Sequence, residues 1–285
     1  MKLIKKINIL IVGLGLLGGS YAKGLKRLGF EVNAITKDKS SVEYAVKNGI
    51  IDYGTTEIEP EIIEKADLVV FALYPHIFKS WICDNQKYFK SGAVITDVTG
   101  VKGCVVREVQ DILREDVEFI AAHPMAGKEV SGVENSDDAI FKGANYIVVP
   151  TEKNTKEAIE LCRNLGELLG FKQVVELSVE EHDKMIAFLS QLTHCIAVSL
   201  MCCNNTPGME AYTGDSFRDL TRIARINDEM WSELFLSNRE DLLCEMEKFK
   251  ESFDELYQKV KDCDREGMRE MMRLSTERRK LFDKK

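Results

Sequence analysis

Several features that would fix a class of protein are missing from this 285-residue chain. No uninterrupted apolar run reaches the roughly 20 residues that a bilayer-spanning helix needs, so no membrane partner is expected. No excess of positive charge exists: the formal net charge is -8, which argues against general nucleic-acid binding. An anionic small molecule stays open as a partner, because a few local cations dominate a pocket. The eight cysteines include no C-x-x-C pair, and Cys202 and Cys203 are simply adjacent. Neither metal ligation nor a disulfide framework is expected, and reduced thiols in a cytoplasmic protein are the simpler account. There is no internal repeat, no low-complexity linker and no further strand–helix pattern near the end, so no appended regulatory domain is expected.

What is present is a folding composition, 45% hydrophobic and 30% charged, in a chain long enough for two domains. Lysines precede the first apolar run, as in a signal peptide. That run, however, leads into glycines rather than a small-residue cleavage site, and it reads as a first strand. Residues 7–20, INILIVGLGLLGGS, place Gly13, Gly15 and Gly18 where a buried strand turns into a helix. In that context G-x-G-x-x-G is a dinucleotide signature. The first glycine permits the turn, the second lets backbone approach a pyrophosphate, and the third lets helix and strand pack closely. The anion then rests on the helix N-terminus.

Further strands are predicted at residues 30–35, 68–72, 93–96, 119–122, 146–149 and 174–177. Helical segments are predicted near 41–47, 60–65, 105–113 and 155–169. This alternation predicts an α/β, Rossmann-type, doubly wound and mainly parallel sheet over residues 1–177. Ligands bind such sheets at the strands' carboxyl ends. After residue 177 the pattern changes. Ser178 is an N-cap candidate with Glu180 and Glu181 in the first turn, and a largely apolar helix runs to about Cys203. Residues 204–215 break it. Leu242, Met246, Phe249, Phe253, Leu256 and Val260 then form one face of a long helix, and a last helix covers about 265–282. Residues 178–285 therefore read as an all-helical substrate-binding and dimerisation domain, with a homodimer formed through its apolar surface.

The candidate cofactor contacts are Gly13, Leu14, Gly15, Leu16, Leu17 and Gly18 in the glycine loop, Thr36 and Lys37 after the second strand, Ala72 and Leu73 after the third, and Thr99. NAD sites usually carry an acid at the end of the second strand. Here Thr36-Lys37 suits a 2′-phosphate slightly better, so NAD or NADP is expected with a lean to NADP. Asp38 would serve NAD if the turn were longer.

His123, followed by Pro124, stands at the carboxyl end of a strand, where a neutral imidazole accepts a proton near pH 7. Ser190, Gln191 and His194 lie on the first helix of the second half, and residues 217–224 read FRDLTRIA. With GLGLLGGS, TDVTGVKG, HPMAGKE and Asn227-Asp228-Glu229-Met230-Trp231, the chain resembles the prephenate/arogenate dehydrogenase family of tyrosine biosynthesis over nearly its whole length. The resemblance implies oxidative decarboxylation of prephenate to 4-hydroxyphenylpyruvate, or of arogenate to tyrosine. It implies His123 and His194 as catalytic residues, with His123 taking the proton of the ring hydroxyl and His194 lining the substrate's side-chain end. Arg222 would bind a substrate carboxylate and Ser190 would lie one turn from His194.

Two departures stand out. Gly100 stands where many members carry a serine, so either Thr99 substitutes or the substrate hydroxyl relies on His123 and water. Gln191 and Thr193 stand where some members carry His and Pro. Because the substrate is an anion, Arg218, Lys102 and Lys128 join Arg222 as candidate pocket cations, although each suits an ordinary ion pair. Glu129 reads as a pocket rim or a solvated charge, His182 as structural, and His76 as a loop residue. A reductase acting on a 3-hydroxy acid or an imine, and a nucleotide sensor without chemistry, are the rival readings. HPMAG together with TRIA argues against the first, and His123, His194 and Arg222 together argue against the second.

Overall fold

A computed structural model of the chain describes residues 7–283, so the lysines at the N-terminus lie outside the described residues. The described residues fall into two compact units, one ending at Asn238 and the other beginning at Arg239. In the first unit, β1 (Ile9–Val12), β2 (Val32–Ile35), β3 (Tyr53–Thr55), β4 (Leu68–Phe71), β5 (Val94–Asp97) and β6 (Glu118–Phe119) form a parallel sheet in the order β3-β2-β1-β4-β5-β6. The central strands β1 and β4 are buried along their whole length. That explains their unbroken Ile/Leu/Val runs: a sheet covered on both faces needs apolar residues at every position. The helices α1 (Leu16–Arg27), α2 (Lys39–Lys47), α3 (Pro60–Ile63), α4 (Pro75–Asn85) and α5 (Val106–Ile112) connect them.

Three elements depart from the sequence reading. Strand β3 is short and edge-like, with Tyr53 exposed, so its signal is weak. Helix α4 was not expected. It starts on Pro75 at N1, and His76 sits in its first turn rather than in a loop. The single strand expected at 119–122 is two strands. Ile120 still bonds to β5, but β7 (Ala121–Pro124) leaves the main sheet and pairs antiparallel with β8 (Asn145–Val149). Strand β9 (Gln173–Glu176) completes this second sheet, β7-β8-β9. Helix α6 (Lys156–Leu169) precedes it, capped by Thr155 and closed by Gly170 in the left-handed conformation.

A continuous 24-residue helix follows, formed by α7 (Val179–Ile186), a π-helical turn (Ala187–Leu192) and α8 (Thr193–Cys202). It opens with a capping box between Ser178 and Glu181. By length and composition alone it is long and apolar enough to cross a membrane, which corrects the expectation that no such stretch exists. Its polar side chains have work inside the fold: Asp183 bonds to the loop after β5, and Gln191 to α10 (Asp228–Ser237). Those bonds carry the first compact unit past residue 177, the boundary expected from the sequence. Helix α9 (Asp215–Thr221) and the 3-10 turn Arg222–Ala224 precede α10. The second unit consists of α11 (Arg239–Lys261), α12 (Arg265–Arg279) and a final turn.

Candidate active site

The glycine loop is shaped by sterics. Gly13 has φ +99°, and a Cβ there would lie 2.5 Å from the Ala72 carbonyl oxygen and 2.9 Å from the Leu73 side chain. The tight turn and the end of β4 are thus packed together. At Gly18 a Cβ would overlap the Gly13 carbonyl oxygen. Gly15 differs: it is the N-cap of α1, its φ is unstrained, and a Cβ would meet nothing within 4 Å. No side chain caps α1 and no acid lies in its first turn. A 12-residue helix therefore aims uncapped N–H groups into open space beside Leu14, Leu16 and Leu17, as a pyrophosphate requires. The residues present fit a dinucleotide.

At the end of β2, the Thr36 N–H bonds to the Thr55 carbonyl, and Lys37 is exposed. Asp38 caps α2, its carboxylate accepting from the N–H and hydroxyl groups of both Ser40 and Ser41. These bonds hold the exposed Asp38 carboxyl below its usual range. An acid so engaged is a poor partner for a ribose.

A buried ion pair at the carboxyl end of β5 is bonded to the backbone of β7. Lys102 and Asp97 are both fully buried, Nζ to Oδ2 2.6 Å. Lys102 also donates to the Ala122 carbonyl at 2.6 Å and to the Thr99 hydroxyl at 3.1 Å. Asp97 accepts the Ala122 N–H at 3.0 Å, and both the N–H and the hydroxyl of Thr99. Two sequence-predicted residues are placed here. Of the two readings left open for Lys102, pocket cation or ion pair, the buried pair with Asp97 is the ion pair. Thr99 is turned into this network rather than toward a ligand, since burying an ion pair requires every remaining donor and acceptor to be satisfied.

His123 follows directly and is half-buried. Its Nδ1 lies 2.9 Å from His182 Nε2, and His182 Nδ1 lies 2.7 Å from Asp183 Oδ1. Asp183 in turn accepts the backbone N–H of Lys102 at 2.9 Å and of Gly103 at 2.7 Å. Nε2 of His123 has no protein partner among the described residues. Burial first, then the neighbouring His182 and Lys102, push His123 well below the usual histidine range. Burial likewise lowers His182, against the opposing pull of Asp183.

A second group lies on the π turn and beyond. The ring of His194 stacks on Trp231, centroids 3.7 Å apart, and its Nδ1 lies 2.9 Å from the Ser190 carbonyl. Burial lowers His194; Glu129 and Arg222 both act on it electrostatically, in opposite senses. Arg222 and Glu129 form an ion pair with each other. His194, Arg222, Glu129 and Trp231 are thus neighbours, with Arg222 exposed at the rim.

Three further candidate residues are engaged with protein partners. Gln191 is buried, donating to the Leu234 carbonyl at 2.8 Å and accepting from Asn238 at 2.8 Å; it ties α10 to the π turn. Arg218 pairs with Asp215 and Thr213 at its own helix start. Lys128 pairs with Asp137 at 3.2 Å. Sequence reasoning missed His182, Asp183 and Trp231 as parts of the site. The adjacent pair His182-Asp183 carries no signal, because consecutive residues on a helix do not face one another.

Comparison with known proteins agrees with this layout. Residues 21–175 match the family model described as prephenate dehydrogenase, nucleotide-binding domain, and residues 178–274 match prephenate dehydrogenase, dimerization domain. The chain is 33% identical over 261 residues to prephenate dehydrogenase of Lactococcus lactis subsp. cremoris, covering 89% of this chain and 71% of that protein. It is 30% identical over 271 residues to prephenate dehydrogenase of Bacillus subtilis, covering 92% and 72%. The crystal structure of prephenate dehydrogenase from Aquifex aeolicus with hydroxyphenyl propionate and NAD+ superposes with a TM-score of 0.89 at 32% identity, covering 99% of this chain and 100% of that one.

Proposed function

The chain belongs to the prephenate dehydrogenase family of NAD(P)-dependent oxidoreductases, and from that membership we propose that the His123 cleft oxidatively decarboxylates prephenate to 4-hydroxyphenylpyruvate. The observation that carries the reading is His123 itself, a neutral imidazole at a strand's carboxyl end with Nε2 free, in the same unit as the glycine loop. When bound, the nicotinamide supplies the acceptor for the hydride that leaves the ring carbon bearing the hydroxyl. The hydroxyl O–H bond breaks and its proton goes to Nε2 of His123, while the O–H electron pair forms the new C=O bond. The bond from the ring to its carboxylate then breaks. Its electrons aromatise the ring, CO2 leaves, and the phenolate oxygen recovers the proton from His123.

Arg222 is the proposed partner of a substrate carboxylate, for which a planar guanidinium is suited. A carboxylate reaching it competes with Glu129. His194, held between Ser190 and Trp231, lines the other end. For the cofactor, Thr36 and Lys37, with Asp38 engaged as a helix cap, support NADP over NAD. The free thiols suit a reducing compartment, the cytoplasm. A homodimer through the helical half is supported by the dimerization-domain match and by the exposure of Phe253, Tyr257 and Val260 on α11.

The test is a two-by-two assay at 340 nm, prephenate or arogenate against NAD or NADP. Turnover of prephenate, faster with NADP, is expected. A rate confined to arogenate overturns the substrate, a strong NAD preference overturns the cofactor lean, and flat traces in all four overturn the activity.

A further inference from the structure

Helix α7 brings His182 and Asp183 to the back of His123, in a chain of contacts that the reaction itself does not require. We propose that His182, held by Asp183, is a positioning residue that fixes which nitrogen of His123 carries the proton, leaving Nε2 as the lone pair toward the substrate. The inference rests on reading His123 as the proton acceptor.

The argument is one of donors and acceptors. Asp183 accepts two backbone N–H groups, from Lys102 on Oδ1 and from Gly103 on Oδ2. Those bonds orient the carboxylate so that Oδ1 also faces His182 Nδ1 at 2.7 Å. A carboxylate only accepts, so Nδ1 of His182 is a donor. In neutral His182 the other nitrogen, Nε2, is then an acceptor. It lies 2.9 Å from Nδ1 of His123, and one proton occupies that contact. The proton therefore sits on His123 Nδ1, and Nε2 is the unprotonated nitrogen. Had Asp183 been absent, either tautomer of His182 would serve, and half the choices would leave His123 with its proton facing the substrate.

The same chain of hydrogen bonds stays connected after proton transfer. When Nε2 of His123 takes the hydroxyl proton, the imidazolium keeps its Nδ1–H bond to His182, whose own Nδ1–H points at Asp183. The charged and titratable groups acting on His123 are His182 and Lys102, both of which disfavour its protonation; Asp183 reaches it through His182, and Asp97 is held by Lys102. Because Lys102 and Asp97 pair with each other, Asp183 is the anion whose hydrogen bonds lead to His123.

The tautomer is readable in the full-length protein without substrate, by long-range 1H–15N correlation of the His123 ring near pH 7.5. A protonated Nδ1 and a bare Nε2 are expected, and a protonated Nε2 overturns the proposal whatever the substrate is. Three variants give the kinetic arm. Asp183→Asn keeps an acceptor for only one of the Lys102 and Gly103 N–H groups; with its amide nitrogen on the His182 side it donates where the carboxylate accepted, which reverses both rings. A fall in kcat of about 10²- to 10⁴-fold is expected, the range of a lost general base, with KM for substrate within about threefold of wild type. His182→Leu removes the acceptor and should lose a similar factor. His182→Gln restores an acceptor to His123 Nδ1–H and should recover at least tenfold over His182→Leu at equal thermal stability. Equal kcat in the leucine and glutamine variants, or a leucine variant within threefold of wild type, overturns the proposal. A wild-type protein inert toward prephenate would instead remove the functional reading and leave the tautomer measurement standing.

Discussion

At the scale of single residues, the two ends of the site answer to different chemistry. In the proposed reaction His123 acts on the bond that breaks, so its loss is felt in the transition state. His123→Ala should lower kcat by about 10²- to 10⁴-fold and leave the dissociation constant of the nucleotide within about twofold. Equilibrium fluorescence titration beside steady-state kinetics checks both, and near wild-type turnover would end the assignment. Arg222, the proposed partner of a substrate carboxylate, is exposed and paired with Glu129. Arg222→Ala should raise KM by about tenfold or more and change kcat little, because it removes an interaction made in the ground and transition states alike. The motif residues at these positions were legible from the sequence. Their partners were not: His182 and Asp183 lie about 60 residues from His123 along the chain, and only the packing of α7 against the β5 loop brings them there.

At the scale of elements, the glycine loop separates a structural role from a binding one. Gly13→Ala forces a Cβ into the Ala72 carbonyl at positive φ, so it should destabilise the fold. Gly15→Ala adds a methyl to open space at an ordinary φ, so thermal stability should stay close to wild type. The nucleotide should nevertheless bind at least tenfold more weakly, about 1.4 kcal/mol, because that space belongs to the pyrophosphate. Calorimetric unfolding and titration on the two variants test the contrast; unchanged nucleotide affinity in Gly15→Ala would show that the anion lies elsewhere. The split of residues 119–124 between β6 and β7 belongs to this scale as well. Local β propensity is continuous there, so sequence reads one strand. Whether the chain stays in its sheet is decided by which edge lies beside it, β5 for Ile120 and β8 for Ala121 onward. Helix α4 was missed for a related reason. Tyr74-Pro75 reads as a loop until a helix starts at the proline and Glu233 accepts the His76 N–H from across the fold.

At the scale of the whole molecule, burial of imidazoles couples stability to pH. Burial holds His123, His182 and His194 below the usual histidine range. Between their folded values and about 6.5, the unfolded chain binds more protons than the folded one, so stability rises with pH through that window. The contribution is complete above about pH 6.5 and is lost as pH falls below it. Melting temperature should be flat from pH 8 to 7 and decline from pH 6.5 to 5; a constant value to pH 5 would contradict the burial of these rings.

The sequence alone determined the α/β alternation, the glycine loop, the capped helix after Leu177, and the motifs that hold His123 and Arg222. Each is written locally, in strand and helix periods, in turn residues or in contiguous motifs. Tertiary structure alone decided which polar residues face the ligand and which are spent inside. Thr99, Lys102 and Gln191 are polar residues at motif positions, yet the packing turns all three into buried networks. It also recruits a His-Asp pair from α7 to hold His123. The reason is physical: the direction of a side chain is set by which neighbours can satisfy its donors and acceptors, and those neighbours are distant along the chain.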